Sequence, residues 1–421
     1  MRILILTQYY PPEIGAAQNR LSRLAVSLRE AGHTVTVLTA LPNYPIGAIY
    51  DGYKNRLVVT EIKDGITIIR TWLYTRQNLQ FIGRLIHYLS FSALALFASV
   101  FKVAQQDIVI TECPPLFVGI AGWLICQMKK AKFVLNVSDL WTDSAVDMGM
   151  VKNGALISFA LRGEKFLYEH AQLITGQTQG IVDTIRSRVR HTPVALITNG
   201  VDQDFFSRTE ALLTKEQQNG EALWGKFIVG FAGLHGLMQD LETVLEAARL
   251  LRDEDHIAFV LYGDGPKKEK LIRLSKESQM QNITFIPPQP AERMPEIFRS
   301  FDAMLVPLKD LPILKGAIPC KMLEAMAAAV PILLLAEGEA KHLVQQAECG
   351  IVVAPENPKL LAEAVRELYH NDSFSRRLGQ NGRQYAFEHY NRQRINKRFE
   401  ALLDKVFQGQ HIASTEACMH P

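Results

Sequence analysis

A lysine and a glutamate three residues apart, Lys321 and Glu324, are the pair in this sequence best placed to hold a charged, hydroxyl-bearing ligand. They lie in Lys315-Gly316-Ala317-Ile318-Pro319-Cys320-Lys321-Met322-Leu323-Glu324-Ala325-Met326-Ala327, where a loop carrying Gly and Pro feeds a helix-forming run. The first turn of such a helix has backbone N–H donors without intrahelical partners. A lysine there can pair with a diphosphate: unit charges about 4 Å apart attract by roughly 4 kcal/mol at an effective dielectric near 20. A carboxylate one turn on accepts hydrogen bonds from sugar hydroxyls. The same spacing also makes an ordinary i, i+3 ion pair on a helix surface, and the sequence leaves both readings open.

Two glycine turns offer a second set of donors. Gly263-Asp264-Gly265-Pro266 stands where a strand ends and a helix begins, and Gly233-Leu234-His235-Gly236 follows the preceding strand. Glycine lets backbone amides approach an anion, and a helix start adds about 0.3 to 1 kcal/mol of favourable field. Strand-to-helix turns need glycine in any case, so the expectation rests on both turns offering amides to one spot. Neither turn is a G-x-G-x-x-G dinucleotide loop: no third glycine follows, and no acidic residue is placed for a ribose.

The elements that must position these groups are legible as alternating short apolar runs and helical patterns. Ile3 to Leu6 precedes Leu21, Leu24, Ala25 and Leu28 at helical spacing, and Thr34 to Leu38 follows as a strand. Ile108 to Thr111, Phe133 to Asn136, Leu173 to Thr175 and Val194 to Ile197 continue the series, with a hairpin at Leu57 to Glu61 and Ile66 to Arg70. Strands apolar on both faces belong to a parallel sheet covered by helices on both sides. The second half repeats the pattern at Phe227 to Phe231, Ile257 to Tyr262, Ile283 to Ile286, Ala303 to Pro307, Ile332 to Leu335 and Ile351 to Val353. The expected organisation is two Rossmann-like doubly wound α/β domains, 1–200 and 226–388, facing each other across a cleft. A polar linker spans 201–225, a basic amphipathic helix 389–408, and a loose tail 409–421.

A chain of 421 residues is long enough for two cores, and 48% apolar content supplies them. A net charge of +3 is too balanced for a nucleic-acid binder. Five scattered cysteines without C-x-x-C spacing point to a reducing compartment and no zinc site. The opening Met1-Arg2-Ile3-Leu4-Ile5-Leu6 reads as a buried strand and not as a signal peptide, so a cytoplasmic location is expected. The apolar stretch Leu85 to Phe101 is bounded by Arg84 and Lys102 and interrupted by His87, Ser90, Ser92 and Ser99. It has three readings: a buried helix, a helix lying in a membrane interface, or a span, which would want about 20 apolar residues.

Taken in order, Gly15, Asn199-Gly200-Val201-Asp202, Gly263-Asp264-Gly265-Pro266 and Lys321-x-x-Glu324-Ala-Met-Ala with Pro331-Ile332 resemble the retaining GT-B glycosyltransferases of family 4, over about residues 1 to 400. Pro11-Pro12-Glu13-Ile14-Gly15, Leu41-Pro42-Asn43-Tyr44-Pro45 and Asp139-Leu140-Trp141-Thr142-Asp143-Ser144 resemble the bacterial polysaccharide branch with its fucosamine transferase-like enzymes. The resemblance implies a nucleotide-sugar donor, a UDP-sugar by expectation, held by the C-terminal domain through Gly233, Leu234, His235, Gly263, Asp264, Gly265, Pro287, Ile318, Pro319, Met322 and Leu323. Lys321, Glu324 and Asp139 carry the catalytic roles. The resemblance also implies an acceptor, lipid-linked or saccharide, over Gly15, Ala16, Asn43 and Trp141, and the stretch Leu85 to Phe101, with Arg84 and Arg76 nearby, would place it on the inner membrane face. No obligatory metal or other cofactor is implied, and the last helix, Tyr390 to Phe407, returns to the N-terminal domain.

The sequence departs from the family at three places. The first glutamate of the E-x7-E pair falls at Gly316, the donor-phosphate Arg and Lys fall near Leu234 and Gln239, and the usual histidine before Asp139-Leu140 is Ser138. Lys321, His235 and the turn amides are the expected substitutes for the missing cations. Retaining transfer in such families resembles a front-face displacement in which the leaving phosphate oxygen helps to deprotonate the incoming hydroxyl, so the protein supplies positioning and charge. Asp139 either orients the acceptor or caps a helix. Two other functions share the fold: a non-hydrolysing UDP-sugar epimerase, for which no acid and base residues stand out, and a non-catalytic sugar-nucleotide-binding subunit, suggested by Gly316. An oxidoreductase would need a full dinucleotide loop, which neither half has.

Overall fold

The structure, a computed structural model, describes residues 1–13, 15–77, 81–140, 142–143, 154–211 and 225–412. It divides into two compact units, one of Met1–Asn199 with the chain from Gln393 onward, the other of Gly200–Arg392.

The first unit is built on an eight-stranded sheet: β1 (Arg2–Leu6), β2 (Thr34–Ala40), β3 (Val58–Lys63), β4 (Ile66–Thr71), β5 (Ile108–Cys113), β6 (Lys132–Val137), β7 (Leu173–Gly176) and β8 (Val194–Leu196). The spatial order is β3-β4-β2-β1-β5-β6-β7-β8, parallel except for the β3–β4 hairpin. Runs such as Ile3–Leu6 and Ile108–Cys113 are buried at every position because helices cover both faces of the sheet. On one face lie α1 (Ala16–Glu30), through Leu21, Leu24, Ala25 and Leu28, and the final helix Arg392–Gln408, through Ile395, Phe399, Leu402 and Leu403. On the other face lie α2 (Phe81–Lys102) and α3 (Leu116–Lys129), which bury Phe91, Ala95, Ala98 and Ile125.

The second unit has six parallel strands: β9 (Phe227–Ala232), β10 (Ile257–Tyr262), β11 (Ile283–Ile286), β12 (Ala303–Pro307), β13 (Ile332–Leu335) and β14 (Gly350–Val353), in the order β11-β10-β9-β12-β13-β14. The strand order reverses between β9 and β12, and ligands of such sheets bind outside the carboxyl ends of the strands at that reversal.

The expected linker needs correction over its first part. Gln203–Ala211 is a helix whose Phe206 is buried in the second unit's core, edge-on to Phe387 with ring centres 5.5 Å apart. Burying that phenylalanine fixes the segment, so it belongs to the second unit. Most of the remaining linker, 212–224, lies outside the described residues.

Candidate functional site

The helix Cys320–Ala327 sets the site in the second unit. Pro319 occupies its N-cap position with φ −65°, and no side chain caps the first turn. Met322, Leu323, Ala325 and Met326 are all buried in the core, which leaves Lys321 and Glu324 on the less buried face. The side chains of Met322 and Leu323, expected to touch the donor, are therefore closed to it, and these residues can offer only their backbone.

Lys321 turns toward the end of β9. Its Nζ lies 3.9 Å from the centre of the Phe231 ring, and a Cβ added at Gly233 would fall 3.1 Å from it. Lys321 as a residue is half-buried, but its Nζ is closed off from solvent and has no hydrogen-bond partner among the described residues. Burial pushes this ammonium down to about 7, against the pull of Glu324 in the other direction. No ion pair joins Lys321 to Glu324 among the described residues, so the pair is not an ordinary surface bridge. A buried cation facing a glycine turn without an acceptor is costly unless a ligand supplies one.

Glu324 is half-buried, and burial pushes its carboxyl up to about 7; Arg392 opposes that shift, Asp202 adds to it and Lys321 opposes it. Sequence reasoning missed Arg392. Its Nε donates to Asp202 Oδ1 at 2.7 Å, and it also donates to the Gly200 carbonyl. Val201 and Asn391 form a parallel β-bridge beside it. The only sequence signal was Asn199-Gly200-Val201-Asp202, a motif with no visible partner.

The glycine turns are where expected, and four of their amides are taken up within the fold. The Gly233 N–H donates to the Tyr262 carbonyl at 3.0 Å and the His235 N–H to the Asp264 carbonyl at 2.8 Å. The Gly263 N–H donates to the Ile286 carbonyl at 3.0 Å, and that of Gly265 to Asp264 Oδ1 at 2.8 Å. Three of these amides lock the two turns to each other and to β11, and the fourth stays within its own turn. The turns press together so closely that a Cβ at Gly263 would fall 1.9 Å from the Gly233 carbonyl oxygen, and one at Gly265 2.6 Å from that of His235. Their φ values, 137° and 153°, exclude other residues independently.

His235 is fully buried near Phe231 and Phe285. Burial, followed by Lys268 and Lys321, pushes it down to about 4, so it is a neutral imidazole and not the replacement cation expected. Leu234 is 57% exposed at the turn, Pro287 is exposed just past β11, Asp264 is exposed, and Ile318 packs partly on the core. Lys268 Nζ also reaches these turns but donates to the Gly263 carbonyl at 2.8 Å, so Lys321 is the cation at the end of β9 whose nitrogen has no hydrogen-bond partner among the described residues.

In the first unit, Gly15 precedes α1 and its carbonyl accepts from Asn19 N–H, with Ala16 exposed at the helix start. Asn43 has a different task from the one expected. It is buried, and both its backbone and side-chain N–H groups donate to Glu13 Oε1, at 2.7 and 3.3 Å. Glu13, which also accepts from the Tyr10 and Tyr44 amides, ties the Pro-Pro-Glu loop to the Leu-Pro-Asn-Tyr-Pro loop. Asp139 is exposed just past β6, and Trp141 lies outside the described residues. A buried network, Arg20 to Glu112 at 2.6 Å, Asn136 to Glu112 at 2.5 Å and Thr175 to Asn136 at 2.7 Å, fixes α1 to the sheet.

A cavity of about 690 Å³ lined by Lys226, Arg299, Asp302 and Tyr369 lies at the amino edge of the second sheet. It is at the opposite end from Lys321, and we place the candidate site at the carboxyl edge, where the strand order reverses and Lys321 Nζ has no hydrogen-bond partner among the described residues.

Two family descriptions match the chain: "Glycosyl transferase 4-like domain" over residues 15–200 and "Glycosyl transferases group 1" over 214–385. A curated relative, the putative colanic acid biosynthesis glycosyl transferase WcaI of Escherichia coli K12, is 25% identical over 384 residues, covering 87% of this chain and 92% of its own. Among solved structures, sucrose-phosphate synthase from Thermosynechococcus elongatus superposes with a TM-score of 0.72 at 18% identity, covering 97% of this chain and 100% of its own. Anabaena HepE in complex with UDP does so with 0.69 at 16% identity, covering 96% and 100%.

Proposed function

We propose that this chain, a GT-B-fold glycosyltransferase made of a glycosyl transferase 4-like domain followed by a glycosyl transferases group 1 domain, moves a sugar from a UDP-sugar to a lipid-linked saccharide with retention of anomeric configuration, in the assembly of a cell-surface polysaccharide. The observation that carries the reading is the buried Lys321 ammonium, without a hydrogen-bond partner among the described residues, at the end of β9 and one turn before Glu324. A diphosphate is the acceptor that Nζ lacks, and Glu324 accepts from hydroxyls of the donor. UDP in the HepE complex and colanic acid in the name of the WcaI relative support the donor and the pathway class.

In the proposed chemistry the bond from the anomeric carbon to the diphosphate breaks and charge grows on the leaving oxygen. Lys321 stabilises that charge without a metal being obligatory, and the leaving oxygen takes the proton of the incoming hydroxyl. Ribose hydroxyls held by Glu324 fix the nucleoside, and with it the anomeric carbon, for attack from the same face, where the incoming oxygen bonds to that carbon. Arg392 and Asp202 act on Glu324 through its charge state. The exposed Asp139 is proposed to orient the acceptor.

The test is transfer of label from a panel of radiolabelled UDP-sugars to bacterial membranes, with the product's anomeric configuration read by NMR. Transfer with retention, lost in Lys321→Met, is expected. Binding of UDP without transfer from any donor would replace the enzyme reading with a non-catalytic one, and isomerised sugar without acceptor would establish an epimerase.

A further inference from the structure

The outward face of α2 has the wrong polarity for water. Its exposed residues run Ile82, Ile86, Leu89, Ala93, Phe97, Val100 and Phe101, with Arg84 in the first turn and Lys102 at the end as the only charges. Ile82, Phe97 and Phe101 are 69%, 61% and 69% exposed. The stripe is continuous over 19 residue steps, about 29 Å of helix. The polar residues that interrupt the apolar run are used within the unit. His87 is buried between Gln8 Nε2 and the Tyr74 carbonyl, each at 2.7 Å. Ser90 Oγ accepts from Tyr74 N–H, and Ser92 and Ser99 are buried and donate to helix carbonyls. A helix between core and solvent normally has the reverse arrangement.

The helix is long and apolar enough to cross a bilayer, with mean hydropathy 1.5, but its inner face is built into the fold. Phe91, Ala95 and Ala98 are buried in the core, and the helix runs between β4 and β5, strands of one sheet. A span would have to strip that face from the sheet. The alternative that keeps every inner contact is a helix lying flat with its outer stripe among acyl chains.

Charge identifies the surface. α2 contains no acidic residue. Lys129 Nζ donates to the Val103 carbonyl at 2.7 Å, which holds the end of α3 beside the end of α2. That brings Lys102, Lys130 and Lys132 to one edge, all exposed and without ion pairs among the described residues. A patch this size on a monomer marks an interaction site, and a lysine cluster bordering an apolar stripe fits anionic headgroups above acyl chains.

We infer that α2 is a monotopic membrane anchor that seats the first unit on an anionic phospholipid surface, its stripe from Ile82 to Phe101 in the acyl region and Lys102, Lys130 and Lys132 among the phosphates. This deepens the lipid-linked acceptor proposed above, but it rests on α2 alone.

The experiment is co-sedimentation of the full chain with phosphatidylglycerol–phosphatidylethanolamine vesicles and with phosphatidylcholine vesicles, alongside light scattering of the free protein. Expected are binding to the anionic vesicles, release by alkaline carbonate, and at least about tenfold weaker binding for Phe97→Ser/Phe101→Ser. Lys102→Glu/Lys130→Glu is expected to remove the preference for anionic lipid. UDP affinity, measured by calorimetry, stays unchanged in both variants, which shows that they are folded. Absence of vesicle binding by the wild type, undiminished binding by the serine variant, resistance to carbonate, or a wild-type dimer that the serine variant dissociates would each overturn the inference. Vesicle binding without UDP binding would instead defeat the donor reading and leave the anchor standing.

Discussion

Lys321→Met separates ligand binding from stability because the two should move in opposite directions. Methionine keeps an unbranched stem against Phe231 and removes the ammonium whose Nζ has no hydrogen-bond partner among the described residues. A hydrogen bond to a charged group contributes about 1.5 to 3 kcal/mol, so UDP affinity should fall by roughly 10- to 150-fold. A buried unsatisfied polar group costs about 1 to 3 kcal/mol, so removing the ammonium should return at least about 1 kcal/mol. A gain of about 1 kcal/mol raises the melting temperature of a unit this size by about 2 to 4 °C. The sign of the pH dependence follows. An unfolded lysine titrates near 10.4, so between pH 7 and 9 the folded protein binds fewer protons than the unfolded chain and the lysine's penalty shrinks. The stability advantage of the variant should therefore narrow over that range, while wild-type UDP affinity declines as the ammonium is lost. Calorimetric titration with UDP and melting curves at pH 7, 8 and 9 measure both. A variant that melts lower and binds UDP as the wild type does would refute the reasoning.

The kcat/KM profile should be bell-shaped around neutral pH, since Glu324 must lose its proton and Lys321 keep its own, both near 7 in the free protein. Residual activity in Glu324→Gln should lack the acid limb and that of Lys321→Met the alkaline limb. Gly263→Ala places a Cβ 1.9 Å from the Gly233 carbonyl oxygen at φ 137°, and should cost at least about 1 to 3 kcal/mol in thermal or urea unfolding and abolish UDP binding. Gly316→Glu meets nothing within 4 Å at its Cβ and should melt like the wild type, while a donor panel reads the effect of restoring a carboxylate there.

Much of the second unit was legible because its strands are short, mostly apolar and bounded by turn residues. Ile257–Tyr262, Ile283–Ile286, Ala303–Pro307 and Ile332–Leu335 have the same limits in the sequence and in the structure. The helix over Gln203–Ala211 was hidden because one buried phenylalanine in a polar stretch decides it. Lys321 was visible from its place at a helix start, but not that it points at Gly233 away from Glu324. The occupied turn amides depend on strand register, and the Arg392–Asp202 pair joins residues 190 apart, so neither leaves a local trace. The burial that leaves His235 neutral is likewise a tertiary property. In α2 the sequence showed the apolar run and its polar interruptions, and only the fold shows that the interruptions face inward.

The most direct measurement is a crystal structure of the protein with UDP. The account predicts a diphosphate oxygen about 2.7 to 2.9 Å from Lys321 Nζ at the end of β9, with the nucleoside near Glu324. A nucleotide bound elsewhere, with Nζ still resting on the Phe231 ring and no phosphate in reach, would contradict it.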